Sequence, residues 1–155
     1  MNKIIFMAVV FLLFLPSLSH ASNPELNCLA QNIYYEAGSE PFDGKVAVAQ
    51  VTMNRVNNYK YPNTICGVVK QKYNHTCQFS WVCDTRKKIA KESENWQESL
   101  YIAEKVLTGE LQSYRISEDT LFFHTKQLPF RWTHKYQKEA VIGNHIFYKH
   151  KRKRV

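Results

Sequence analysis

Glu36 and Glu40 stand four residues apart in the stretch Ile33-Tyr34-Tyr35-Glu36-Ala37-Gly38-Ser39-Glu40-Pro41, where the chemistry of this chain concentrates. A carboxyl group can protonate a leaving oxygen if its surroundings keep it protonated near neutral pH. Glu36 has such a setting. Leu26, Leu29, Ala30 and Ile33 recur at the spacing of a helix with one buried face, and Glu36 follows Ile33 by three, at the rim of that face. Gly38 suits a left-handed C-terminal cap, which puts Glu36 in the last helical turn. There the carboxylate meets the negative end of the helix dipole and loses part of its water, and both effects raise its pKa. The plainer reading is a partly exposed helical glutamate with no task. Glu40 has no fixed direction, because Gly38 and Pro41 take it off the helix; it is expected to support the site. Asp43 reads as the cap of the next helix.

Other side chains with chemical potential are scattered. Tyr34 and Tyr35 leave the apolar stripe and either line a groove or shield the helix flank. Cys77-Gln78-Phe79-Ser80-Trp81-Val82-Cys83-Asp84 reads as a loop pinned between two cysteines. Gln78, Ser80 and Trp81 offer hydrogen bonds and a flat apolar face to a sugar, while Phe79 and Trp81 could equally plug the core. His124 closes an aromatic strand and could face a cleft, although a lone histidine is more often a satisfied structural residue. Trp132 lies in Pro129-Phe130-Arg131-Trp132. No Cys-x-x-Cys pair and no His-x-x-x-His pattern is present, so neither a metal nor a cofactor is called for.

The elements that must position these groups follow from periodicity. The first helix runs from Pro24 or Glu25 to Ala37, capped by Ser22 or Asn23. The second starts near Pro41–Asp43 and ends near Val56; Val46, Ala47, Val48, Ala49, Val51, Met53 and Val56 cover most of its circumference, as in a buried helix. Near its end, Asn54 and Arg55 either support the site or form a solvated terminus. Thr64 caps a short helix over Ile65–Lys70. A third long helix spans about Glu92 to Leu107, with Ser93 as cap and a structural role. Leu121-Phe122-Phe123-His124 reads as a strand, and Gly143-Asn144 as the turn of a hairpin between Glu139–Ile142 and His145–Tyr148.

Lys3, the apolar run Ile4–Leu15, Pro16 and Ser19-His20-Ala21 read as a signal peptide over residues 1–21, too short an apolar run for a comfortable membrane span, with an uncleaved anchor as the alternative. One domain follows over 22–148, and 149–155 is a basic tail. The formal charge of +8 falls to +7 when Lys3 leaves with the leader. Export points away from nucleic acid and towards anionic envelope polymers as the tail's partner, with a merely solvated tail as the alternative. In an oxidising compartment Cys28, Cys66, Cys77 and Cys83 form two disulfides, in any of three pairings. Cys77 and Cys83 are close enough to close a small loop.

Taken in order, these residues resemble the SleB/CwlJ family of cell-wall hydrolases. The resemblance runs through Cys28-Leu-Ala-Gln-Asn-Ile-Tyr-Tyr-Glu36-Ala-Gly-Ser-Glu40-Pro, Gly44-Lys-Val-Ala-Val-Ala-Gln-Val, Asn54-Arg55-Val56 and Tyr61-Pro62-Asn-Thr-Ile-Cys66-Gly-Val-Val. It continues through Cys77-Gln-Phe-Ser-Trp81, Phe123-His124-Thr125, Trp132 and Ile142-Gly143-Asn-His145-Ile-Phe-Tyr148. The family's usual Glu-Ala-Arg-Gly-Glu motif reads Glu36-Ala37-Gly38-Ser39-Glu40 here, with both glutamates kept. The resemblance implies a mainly helical α+β, lysozyme-like domain of two lobes, with a small antiparallel sheet near the C-terminus and a glycan groove between the lobes. It implies a monomer acting on peptidoglycan strands, cleaving between N-acetylmuramic acid and N-acetylglucosamine. Glu36 would be the acid/base of a lytic transglycosylase, in which the sugar's own 6-hydroxyl attacks and leaves a 1,6-anhydromuramic end. Retaining and inverting hydrolases need two carboxyls across the scissile bond. Only one is well placed by pattern here, and one suffices if the substrate supplies the nucleophile. The alternatives are a muramidase with Glu40 or Asp84 as second carboxylate, a metal-dependent amidase, and a non-catalytic wall-binding module.

Overall fold

The computed structural model describes residues 23–127 and 131–151. The expected leader, Pro129, Phe130 and residues 152–155 of the tail lie outside them. Helix α1 (Pro24–Ala37) opens on Asn23, whose side-chain oxygen accepts from the backbone N–H groups of Glu25 (3.1 Å) and Leu26 (3.3 Å). It does not end in the expected left-handed cap: Gly38 is right-handed, at φ −56° and ψ −32°. Its glycine serves close approach instead, since a Cβ there would lie 2.5 Å from the Tyr34 carbonyl oxygen. Helix α2 (Phe42–Val56) follows after a tight connection. Asp43 is not its cap; Pro41 holds that place without a side-chain bond, and Asp43 lies in the first turn, where its charge favours the helix dipole.

Helix α3 (Ile65–Val69) is capped by Thr64, whose hydroxyl accepts from Gly67 N–H at 3.0 Å. The Glu25 carboxylate also accepts from Ile65 N–H at 2.6 Å, and the Cys28–Cys66 disulfide ties α3 to α1. A two-stranded hairpin then appears, β1 (Lys72–Tyr73) with β2 (Thr76–Cys77). Sequence reading finds only a pinned loop there, because the strands are too short for alternation and the turn uses Asn74 (φ 45°) and His75 (φ 66°) without glycine. A 3₁₀ turn, Ser80–Cys83, closes against the Cys77–Cys83 disulfide. Helix α4 (Glu94–Leu107) begins two residues later than its periodicity implies, because Ser93 accepts from Trp96 N–H and sets the start. A three-stranded antiparallel sheet completes the fold, in the order β3 (Thr120–Thr125), β5 (His145–His150), β4 (Tyr136–Ile142).

Helix α2 is apolar nearly all round because it serves two cores. Val46 and Ala49 pack with Leu29, Ile33, Ile102 and Ala103 of α1 and α4. Ala47, Val48 and Val51 pack with Ile142 and Phe147 of the sheet. None of the described helices is long and apolar enough to cross a membrane.

All four cysteines are paired. The Cys28–Cys66 bridge closes a loop of 38 residues, so its removal frees much chain entropy in the unfolded state. Cys28→Ser with Cys66→Ser is expected to cost about 2–4 kcal/mol, read as a lower denaturant midpoint at an unchanged m-value.

Candidate active site

Glu36 occupies the last turn of α1 and is half-buried, one residue before Ala37, which packs with Ile142 and Phe147 of the sheet. Burial pushes its carboxyl up to about 7, against a smaller downward pull from the Arg55 guanidinium. Arg55 and Asn54 are no solvated terminus, for each is only 4% exposed. Arg55 Nε donates to Leu121 O at 2.9 Å, and Asn54 Nδ2 donates to Ser117 O and Thr120 O, both at 2.9 Å. The end of α2 is thereby locked onto β3. The guanidinium lies over the rings of Tyr61 (5.5 Å) and Phe79 (5.4 Å), and its Nη1 is buried without a hydrogen-bond partner among the described residues. A cation is thus held near Glu36 by groups that do not neutralise it.

One turn before Glu36, on the same helix face, lies Asn32. It is fully buried, donates to Thr52 Oγ1 at 3.1 Å and accepts from Trp81 Nε1 at 3.4 Å. This contact draws the Cys77–Cys83 loop onto α1, where the Tyr35 ring stacks on Trp81 with centroids 4.6 Å apart. Sequence reasoning passes over Asn32; its position four residues before Glu36 is the signal that could have found it. The two tyrosines divide their roles. Tyr35 stacks on Trp81 and lines the hollow beside it, while Tyr34 packs edge-on to Trp96 and accepts from Ala90 N–H at 3.4 Å. The loop divides likewise: Phe79 is buried against Phe123, Trp81 is half-exposed, and Gln78 and Ser80 are exposed.

Two hollows flank this loop. One, of about 470 Å³, is lined by Tyr35 and Trp81 among others. The other, of about 690 Å³, is lined by Tyr61, Gln71, Tyr73 and Gln78 among others. Glu36 lines neither, but it is linked to the first through its neighbour Tyr35 and to the second through Arg55 and Tyr61.

Glu40 lies elsewhere. It is buried, its Oε2 accepts from Asn144 N–H at 2.7 Å, and it stands 3.8 Å from His145 Nδ1. Burial keeps His145 low and therefore neutral, with Glu40 as the smaller opposing influence. The carboxylate latches the β4–β5 turn onto the α1–α2 connection. Asp84, the other carboxylate weighed from sequence, is engaged by Arg86 at 2.9 Å.

His124 is buried in the sheet with both ring nitrogens in contact. Nδ1 donates to Thr125 O at 2.7 Å, which leaves Nε2, 2.9 Å from the Tyr148 hydroxyl, as the acceptor. Trp132 packs beside it (5.6 Å) and against Phe122, Tyr136 and Tyr148, forming an aromatic cluster on the sheet. Among the described residues, no three His, Cys, Asp or Glu side chains converge to hold a metal ion.

The raised Glu36 pKa predicts a pH effect on stability. The native state holds this proton up to about 7, whereas the unfolded chain releases it near 4.3. Between these values the native state binds more protons, so stability falls as pH rises. Glu36→Gln removes this loss. It should melt higher than the parent above pH 7, with the gain vanishing below about pH 4; thermal melts across pH check this.

Four helices, a small antiparallel sheet and a half-buried carboxylic acid of raised pKa at the end of the first helix define the class, a mainly helical α+β domain. The chain belongs to the Hydrolase_2 family of cell wall hydrolases, whose model matches residues 39–148, opening three residues after Glu36 and including Glu40. It is 30% identical over 129 residues to a spore cortex-lytic enzyme of Bacillus subtilis (strain 168), covering 81% of this chain and 38% of that one. It is 29% identical over 131 residues to that of Oceanobacillus iheyensis, covering 83% and 42%. The chain thus spans about two fifths of the length of these relatives. Its fold matches the catalytic domain of the germination-specific lytic transglycosylase SleB from Bacillus anthracis, with a TM-score of 0.63 and 25% identity over 84% of this chain and 98% of that one. The SleB catalytic domain of Bacillus cereus matches with a TM-score of 0.60 and 25% identity, over 83% and 91%.

Proposed function

We propose that this chain cleaves the glycosidic bond between N-acetylmuramic acid and N-acetylglucosamine in peptidoglycan as a lytic transglycosylase, with Glu36 as its single acid/base. The observation that carries this reading is the pairing of one carboxyl raised to about 7 with a second, Glu40, buried and committed to Asn144 N–H. Glu36 gives its proton to the glycosidic oxygen as the bond to C1 of muramic acid breaks. The 6-hydroxyl of the same sugar attacks C1, and its proton returns to Glu36. Arg55 favours the carboxylate formed midway through the pull of its nearby charge. Tyr35 and Trp81 offer ring faces to sugar, and Gln78 and Ser80 offer polar groups. His124 and Trp132 form the sheet-side wall. A single carboxyl is enough because no external water is activated.

The family and the relatives named for cortex lysis support peptidoglycan as substrate. The leader read from residues 1–21 supports export to the periplasm or envelope. Lys149 lies in β5 and is engaged by Glu139 at 2.9 Å, so the basic residues from Lys151 onward supply the charge for contact with anionic envelope polymers, and the chain acts as a monomer without cofactor.

The test is incubation with purified sacculi. Turbidity should fall, stem peptides should stay attached to the released glycan, and a chelator should not slow the loss. Binding without clearing would reduce the chain to a wall-binding module. Freed stem peptides with intact glycan would make it an amidase.

A further inference from the structure

The two hollows beside the Cys77–Cys83 loop differ in chemistry. The larger is lined by Gln71, Asn74, Thr76 and Gln78 with tyrosine rings, a neutral surface of amides and hydroxyls. Such a lining suits the hydroxyl and acetamido groups of a glycan. The smaller, beside Tyr35 and Trp81, also carries Lys70, Lys87 and Asp84. Asp84 is already gripped by Arg86 through both carboxylate oxygens, at 2.9 and 3.3 Å. Neither Lys70 nor Lys87 makes a side-chain hydrogen bond or close ion pair among the described residues, although the Lys87 charge adds a weaker pull on the Asp84 carboxylate. The hollow is therefore aromatic at one side and cationic overall, a poor match for a neutral sugar and a good one for a short acidic chain.

Its position adds a length. Cys28, Gln31 and Tyr35 line it from α1, successive positions on one helix flank. Seven residues of helix span about 10 Å, the reach of about three residues of extended peptide. The strip ends at Tyr35, the neighbour of Glu36. In peptidoglycan the group that leaves muramic acid sideways, next to the scissile bond, is the stem peptide, which carries several carboxylates.

We infer that the hollow along α1 binds the stem peptide of the muramic acid held at Glu36, with Lys70 and Lys87 meeting its carboxylates and the Trp81–Tyr35 pair flanking its first residues. This rests on the peptidoglycan reading above. The neutral hollow then follows the glycan strand and the cationic one follows the peptide, so the enzyme prefers peptide-bearing glycan to glycan stripped of its stems.

Binding tests this separately from cleavage. The non-cleaving Glu36→Gln protein is titrated by calorimetry against soluble glycan strands that keep their stems, released by an endopeptidase that cuts only the cross-links, and against the same strands stripped of stems by an amidase. Stem-bearing strands should bind about fivefold to tenfold tighter, as two exposed charge contacts allow, and the preference should shrink as salt rises. Adding Lys70→Glu with Lys87→Glu should bring the ratio to about one. Lys70→Arg with Lys87→Arg should keep it, which a merely structural role for these exposed lysines would not explain. Equal binding of both materials by the parent, or a preference untouched by the double charge reversal, would overturn the inference. A lysine-dependent preference for stem-bearing strands in a chain that cleaves neither material would uphold it and sink the transglycosylase reading instead.

Discussion

Glu36→Gln should lower glycan cleavage by about 10³-fold or more while leaving the fold intact. Proton transfer by a positioned side chain contributes about 10²–10⁴-fold in rate, and here one group serves both as acid and as base. The amide fills the same space at the end of α1 but cannot donate an acidic proton to the leaving oxygen. The far-ultraviolet spectrum should be unchanged and the melting temperature at pH 8 should rise, because a half-buried carboxylate has been replaced by a neutral group. Loss of activity together with higher stability is the signature of a functional group held against its solvation preference. Full activity in Glu36→Gln would remove Glu36 from the mechanism. In the parent, kcat/KM should fall as pH rises above about 7, following deprotonation of the free enzyme's acid.

The second large effect is on folding. Gly143→Ala should destabilise the chain by about 3 kcal/mol or more, lowering the melting temperature by about 10 °C. Two costs combine. Gly143 takes a φ of +55°, which L-residues adopt at a cost of about 1–2 kcal/mol. A Cβ at this position would also stand 2.0 Å from Glu40 Oε2 and 2.7 Å from Pro41 Cδ, an overpacking that costs about 1–3 kcal/mol. Glu40 cannot withdraw without giving up Asn144 N–H. Glycine at this turn is what lets the carboxylate dock the sheet onto the helices. Glu40→Gln, which keeps an acceptor oxygen, should be milder, at about 1–3 kcal/mol, and should retain residual activity. Thermal melts of both variants beside the parent separate the two roles. An inactive but fully stable Glu40→Gln would instead make Glu40 a participant in the chemistry.

The helices were legible because their signals are local. Asn23 and Pro24 open α1, the apolar stripe through Ile33 carries it, and Ser93 starts α4. The raised pKa of Glu36 was legible too, because the spacing from Ile33 fixes its place at the core's rim. What escaped reading depends on contacts distant in sequence. Gly38 looked like a left-handed cap, but Glu40 N–H bonds back to Ala37 O and the chain turns without one. Arg55 read equally well as a solvated terminus until Leu121, 66 residues away, supplied its acceptor. Glu40 was directionless in sequence because its partner is the backbone of Asn144, 104 residues on. The β1–β2 hairpin was missed because two-residue strands carry no period. The disulfide pairing, left open by sequence, follows from α3 lying against α1.

The most direct measurement is mass spectrometry of the fragments that the chain releases from purified peptidoglycan, run beside Glu36→Gln. A single acid/base with no activated water predicts muramic ends lighter by one water, the 1,6-anhydro form, and none from the variant. Reducing muramic ends would mean that water attacks C1, and the account of one carboxyl with a substrate-supplied nucleophile would be wrong.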